Sequence, residues 1–262
     1  MTPETSPLAA ELLALAHDVA SQAAHLLMAR PSHFDLTEKS TAIDFATQMD
    51  EKAEALIVES ILRARPGDGI VAEEGAARES TSGITWVIDP LDGTVNYFYG
   101  LPGWNVSIAA RDESGSLVGV VAAPTINSLW HAVRGEGAFH NGEKIRSTSH
   151  ISLDRALLGT GFAYDVADRS EQIAMVASLL PRVRDIRRMG SAAVDLCHVG
   201  MGALDGYFER GLKEWDWAAG ALVATEAGAQ VAHLGDGARK LTVAAGPGVF
   251  DELQAGLAGL AL

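Results

Sequence analysis

The run Trp86-Val87-Ile88-Asp89-Pro90-Leu91-Asp92-Gly93-Thr94-Val95-Asn96 restricts the fold more than any other part of the chain. An apolar, β-prone segment delivers two carboxylates three residues apart, and a glycine, a threonine and an asparagine follow. Carboxylates with a backbone carbonyl between them form the oxygen donor set that a hard cation such as Mg²⁺ requires. A Gly-Thr step opening the next helix would aim free backbone N–H groups at an anion. Cation and phosphate would then lie side by side, an arrangement that suits phosphoryl chemistry.

The chain has 262 residues, enough to bury a large core as one domain or as two packed halves. Hydrophobic residues make up 48%, and no apolar run approaches the roughly 20 residues that cross a bilayer. The first residues do not read as a secretory leader. A single cysteine, Cys197, excludes an internal disulfide and fits a reducing cytoplasm. Its apolar neighbours, without an adjacent His or Lys, make it a buried structural cysteine rather than a reactive thiol. A net charge of −14 argues against nonspecific binding to nucleic acid or an anionic membrane. It also opposes the approach of an anionic substrate unless bound divalent cations reverse the sign locally.

Two Ala/Leu-rich helical patterns run from about Leu8 to Met28 and from Asp50 to Arg63, the second ended by Pro66-Gly67. Between them lies a polar loop from Asp35 to Asp44 that contains Lys39. Short apolar runs at 69–72, 85–88, 106–110, 117–122 and 129–133 suggest adjacent antiparallel strands. The stretch from Gly135 to Gly142 is a hairpin signal. Beyond it, strands near 157–161, 183–187 and 203–208 alternate with helices near 170–180, 192–199 and 215–227. This predicts an α/β protein with an α+β first half, 1–145, and an α/β second half, 146–262, packed as one unit.

Four acidic positions stand out: Glu73-Glu74 after a short strand, Asp89 with Asp92, Asp216 between Trp215 and Trp217, and Asp50 at a helix start. Taken singly, each has a structural use. Aspartates cap helices, paired glutamates before glycine sit on solvated turns, and Asp-Pro-x-Asp-Gly is turn-forming. Their grouping shifts the reading. Asp89 and Glu73 follow apolar strands, where ligand sites of α/β proteins gather, and Ala218-Ala219-Gly220 after Asp216 suits close packing beneath a pocket. The histidines show no convincing Zn²⁺ spacing, and no Walker-type loop is present.

These residues resemble the inositol monophosphatase family of Mg²⁺-dependent, Li⁺-sensitive phosphomonoesterases. One signature of that family is similar to Trp86–Asn96, and a second to Trp215-Asp216-Trp217-Ala218-Ala219-Gly220. Glu73-Glu74 and the spacing Lys39, Asp44, Thr47, Asp50 match as well, and the likeness runs from about Leu8 to the C-terminus. Ala46 stands where valine is commoner, and the tail after Leu253 has no clear family character. The resemblance implies a layered αβαβα sandwich of the sugar-phosphatase type, a homodimer, and no nucleic-acid or membrane partner.

It also implies roles. Glu73, Asp89 and the Leu91 carbonyl would hold one Mg²⁺, and Asp89, Asp92 and Asp216 a second, with a looser third near Glu73. Glu73 and Thr94 would activate the attacking water while Asp50 accepts from Thr94. The Gly93 and Thr94 amides would bind phosphate. Glu209 and Asp216, with the Ala192 backbone, would meet the alcohol half, and Lys39 would act on a lid over the metal site. The substrate implied is myo-inositol monophosphate or a similar polyol phosphate. Histidinol phosphate, nucleotide 3′-phosphate, NADP and fructose bisphosphate remain alternatives, as does a noncatalytic regulatory member of the fold.

Overall fold

In the computed structural model, which describes residues 6–41 and 43–258, layers of helix and sheet alternate. Ser6 starts α1 (Pro7–Met28) by accepting from the Ala9 amide at 3.1 Å, and Pro7 occupies a position that needs no N–H donor. Leu12, Ala16, Val19, Ala23 and Leu27 are buried along one face of α1, at helical spacing. A hairpin, β1 (Leu36–Glu38) with β2 (Phe45–Thr47), leads into α2 (Gln48–Ala64). The sequence pattern gave only a polar loop here because every residue of β1 is exposed and shows no alternation.

The first sheet contains β3 (Gly69–Ala72), β4 (Ala77–Arg78), β5 (Thr85–Asp92), β6 (Asn105–Asp112), β7 (Gly115–Ala123), β8 (Ser128–Val133), β9 (Gly137–His140) and β10 (Glu143–Lys144). A short helix, α3 (Thr94–Tyr99), separates β5 from β6. The strand order is β10-β9-β8-β7-β6-β5-β3-β4. The expectation of antiparallel neighbours fails at one step: β3 and β5 are parallel, with Ala72 opposite Ile88. The chain leaves β3 through a tight turn and returns along β3 as the edge strand β4, so it enters β5 in the original direction.

The second sheet has β11 (Leu157–Thr160), β12 (Asp185–Arg187), β13 (Gly206–Arg210), β14 (Gln230–Leu234) and β15 (Leu241–Ala245), in the order β12-β11-β13-β15-β14. Its first three strands are parallel, as helical crossovers demand, and β14 and β15 close it as an antiparallel hairpin. Helix α4 (Val166–Leu179) and helix α7 (Phe250–Ala258) cover its outer face through Met175, Leu179, Leu253 and Leu257. Residues 259–262 of the tail lie outside the described part.

Between the sheets run α5 (Ala192–Gly200) and α6 (Glu214–Glu226). The αβαβα sandwich is thus α1 and α2, the first sheet, α5 and α6, the second sheet, then α4 and α7. The middle layer fits because its contacts are small. A side chain at Gly119 on β7 would meet the Ala219 backbone at 3.0 Å, and one at Gly220 would meet Ala193 O at 2.8 Å. Cys197 is buried in this layer, as its neighbours suggested. Among the described residues, no helix is long and apolar enough to cross a membrane.

Gly220→Ala tests this packing. In an open helix the change would gain up to about 1 kcal/mol of propensity. Here the new methyl meets backbone, which cannot swing aside, and overpacking of this kind costs about 1–3 kcal/mol. We expect a lower midpoint in urea and in heat; a raised midpoint would show that the two helices can separate freely.

Candidate active site

Aspartates three residues apart on a regular strand face opposite sides of the sheet. In β5 this is corrected by a bulge: Asp89 pairs with Ser107 and Asp92 with Asn105, so two β5 residues stand against one on β6. Pro90 sits in the bulge, where the missing N–H costs no ladder bond. Both carboxylates therefore line one cavity of 310 Å³. Gly93 follows with φ +86°, a left-handed conformation that caps α3 and favours glycine.

Other elements converge on the same cavity. Glu73 follows β3, Asp216 lies in the first turn of α6, Ala192 begins α5 and Glu209 lies within β13, one residue before its end. The expected strand ended at Phe208; β13 instead runs to Arg210, so Glu209 is part of the ladder and pairs with Thr242. Glu73, Asp89, Leu91, Asp92, Gly93, Thr94, Ala192, Glu209 and Asp216 all line the cavity. Asp50 lies behind it, fully buried at the start of α2. Its Oδ2 accepts from the Thr47 amide at 2.8 Å and the Thr47 hydroxyl at 2.6 Å. Its Oδ1 lies 3.0 Å from the Thr94 hydroxyl, whose single proton is shared with the Leu91 carbonyl at 3.1 Å. Lys39, the residue after β1, reaches Glu73 at 2.9 Å and Glu74 at 2.7 Å.

Donors around these acids are placed with care. Asp92 Oδ2 accepts from Ser191 Oγ at 2.5 Å, from the Ala193 amide at 3.1 Å and from Asn105 at 3.3 Å. Asp216 Oδ2 accepts from the Lys213 amide at 2.6 Å, and Asp89 Oδ1 from the Leu91 amide at 3.1 Å. Burial nevertheless drives Asp89 and Asp216 well above the usual carboxylate range, with Glu73 the largest neighbouring repulsion for each. Burial likewise takes Asp92 up to about 6 despite its donors, and Glu209 and Glu74 to about 7. For Lys39 burial opposes the charge, but Glu73 and Glu74 outweigh it and raise its pKa.

The sequence profile of the inositol monophosphatase family matches residues 8–260. Inositol-1-monophosphatase SuhB of Mycobacterium tuberculosis is 40% identical, over 97% of this chain and 95% of its own. Nus factor SuhB of Escherichia coli is 42% identical over 74% of this chain and 73% of its own. Among solved structures, M. tuberculosis SuhB superposes with a TM-score of 0.83 at 41% identity, covering 96% of this chain and 97% of that one. An IMPase of Thermotoga maritima superposes with a TM-score of 0.87 at 30% identity, over 95% and 98%.

The chain belongs to the inositol monophosphatase family. It is an inositol-1-monophosphatase-like phosphoric monoester hydrolase. In this family member eight acidic side chains and only two arginines, Arg188 and Arg210, line the cavity. Among the described residues no three acids are already drawn together as an ion cage, and Lys39, Ser191 and the Lys213 amide each hold an oxygen of one of them. The donor chemistry nonetheless fits hard divalent cations: oxygens only, anionic, and mutually repelling until a positive charge arrives.

Four contributors escaped the sequence reading. Ser191 and Asn105, which hold Asp92, look like an ordinary helix cap and a strand residue. Arg188 and Asp195, both at the cavity, sit in stretches without any motif. A serine before an Ala-rich helix was the one visible cue.

Asp89→Asn isolates the repulsion. A carboxyl whose folded pKa is raised destabilises the fold in full above that pKa, and the penalty fades as pH falls from the folded pKa to the ordinary carboxylate value of the unfolded chain. Without added cation, the variant should melt higher than wild type at pH 8, and the gain should shrink as pH falls. A lower melting temperature at pH 8 would mean Asp89 is held by partners that favour its charge.

Proposed function

We propose that this hydrolase cleaves a small polyol phosphomonoester, foremost myo-inositol monophosphate, with Mg²⁺ bound among Glu73, Asp89, Asp92, Asp216 and the Leu91 carbonyl. The observation that carries this reading is the gathering of those four carboxylates around one cavity whose rim holds the Gly93-Thr94 step. When bound, the cations supply Lewis-acid neutralisation of the phosphate charge.

The side chains do the rest. Asp50, locked by Thr47, accepts a hydrogen bond from the Thr94 hydroxyl and so leaves the Thr94 oxygen lone pairs to accept from a water molecule. Glu73, on the facing turn, would orient the same water and draw off its proton. As the water oxygen bonds to phosphorus, the ester P–O bond breaks, and the departing alkoxide oxygen takes a proton from solvent, which balances the one drawn off by Glu73. The Gly93 and Thr94 amides would hold phosphate oxygens at the start of α3. Glu209 lines the same cavity, and a carboxyl there suits hydroxyl groups and not phosphate.

A second reading has support in an apolar annex of 710 Å³ lined by Leu36, Ile43, Phe45, Phe98, Tyr99 and Ile173. It shares Val95, Phe162, Tyr164 and Arg188 with the acidic cavity, so an aromatic alcohol half, as in a nucleotide or histidinol phosphate, would fit beside it. A panel of phosphomonoesters separates the two readings.

Phosphate release from myo-inositol 1-phosphate should require Mg²⁺ and stop with chelator. Asp89→Asn should lower kcat/KM by at least about a hundredfold, since it removes an anionic oxygen ligand that would hold the cations neutralising the phosphate. Undiminished turnover in chelator would end the metal-dependent reading.

Thr94→Ala should cost about a hundredfold or more in kcat while KM stays within about threefold, because the water is positioned mainly in the transition state. A change confined to KM would make Thr94 a phosphate ligand only.

A further inference from the structure

Buried aspartates with purely structural work are supplied with donors in this protein. Asp205 accepts from the Leu157 amide at 2.8 Å and the Thr148 hydroxyl at 2.9 Å. Asp195, in the first turn of α5, is treated differently. It is 1% exposed, and among the described residues its Oδ1 has no hydrogen-bond partner. Such a carboxyl is costly in a fold that gains nothing from it. It also lines the acidic cavity beside Glu209.

The backbone makes room for this pair. Residues 159 and 161 fall on the same side of the chain along and just beyond β11, and both are glycine. A Cβ at Gly159 would lie 3.1 Å from the Tyr207 ring and 3.4 Å from Asp195 Oδ2. A Cβ at Gly161 would fall inside the Glu209 carboxylate. Tyr207 and Glu209 alternate onto one side of β13, and the Tyr207 hydroxyl donates to Glu209 Oε2. Two missing side chains, one in β11 and one just beyond it, therefore leave space beside two acids of neighbouring elements that line the cavity.

We propose that Asp195 is a second specificity-determining carboxyl beside Glu209, and that the two together bind neighbouring hydroxyl groups on the alcohol half of the substrate. This rests on the phosphomonoester reading above. The environment suits hydroxyls, which donate and accept. Burial, then Glu209 and Asp92, push the Asp195 carboxyl up against the opposing pull of Arg188, and Glu209 stands at about 7. A carboxyl pushed toward its protonated form can both accept from a hydroxyl and donate to it.

The test compares myo-inositol 1-phosphate with phenyl phosphate, in Mg²⁺, for wild type, Asp195→Ala and Asp195→Asn. Asp195→Ala should raise KM for the inositol ester by about ten- to a hundredfold, the effect of losing a charged or strongly polar partner, and leave phenyl phosphate unchanged. Asp195→Asn, which keeps an acceptor and a donor of the same shape, should recover KM to within about threefold of wild type. Both variants should melt no lower than wild type, since they remove an unpartnered buried acid. Equal losses on the two substrates, or a fall in melting temperature with unchanged KM, would make Asp195 structural and overturn the proposal. Wild-type protein that hydrolyses neither ester would instead refute the phosphomonoesterase reading, so the two failures are distinct.

Discussion

Eight acidic side chains share one cavity with two arginines, and two of the acids, Asp89 and Asp195, are almost wholly removed from water. Their repulsion is screened little there, so the fold must either supply donors or leave the charge for a ligand to neutralise. Both answers are visible. Asp50 and Asp92 each receive several hydrogen bonds and stand fixed. Asp89, by contrast, receives one backbone donor and faces Glu73, Asp92 and Asp216, and it is the acid that a cation would relieve most. The uneven supply of donors thus marks which carboxylates frame the site and which are kept in tension.

That tension has to be held from several directions at once, and the middle layer does this. Helix α5 brings Ser191 and the Ala193 amide to Asp92, while α6 brings Asp216 to the same cavity. The two helices meet where Gly220 lies against Ala193, and α6 meets the first sheet where Ala219 lies over Gly119. Larger residues at these points would move apart the elements that carry Asp92 and Asp216. Small residues here fix distances between charged groups, which is a different task from filling a core.

The sequence disclosed the acids more readily than their geometry. Strand β5 was legible because a buried strand reads as a continuous apolar run. That Asp89 and Asp92 face the same side was not, because a three-residue spacing on an unbroken strand would separate them and the bulge leaves no periodic trace. The β1–β2 hairpin escaped because its first strand is wholly exposed, so its role in bringing Lys39 to Glu73 and Glu74 could not be read. The closeness of Asp50 and Thr94 came from family likeness; 44 residues of separation carry no local signal. Asp195 was hidden for a further reason: an aspartate in the first turn of an apolar helix looks like a favourable charge at the helix dipole.

The net charge of −14 bears on how such a site can choose its substrate. On the function proposed above, a phosphate dianion gains nothing from the bare acidic cavity, and the cations that would bind it there do not distinguish one phosphomonoester from another. Neutral hydroxyl groups meet no such barrier, and carboxyls near their pKa receive them without help. On that reading selectivity comes from the acids that β13 and α5 supply to the cavity, Glu209 and Asp195. The apolar annex beside Tyr164 and Arg188 offers a different choice. Changing the substrate would then require altering residues of the second sheet and α5, while the acids on β3, β5 and α6 that hold the charge stay as they are.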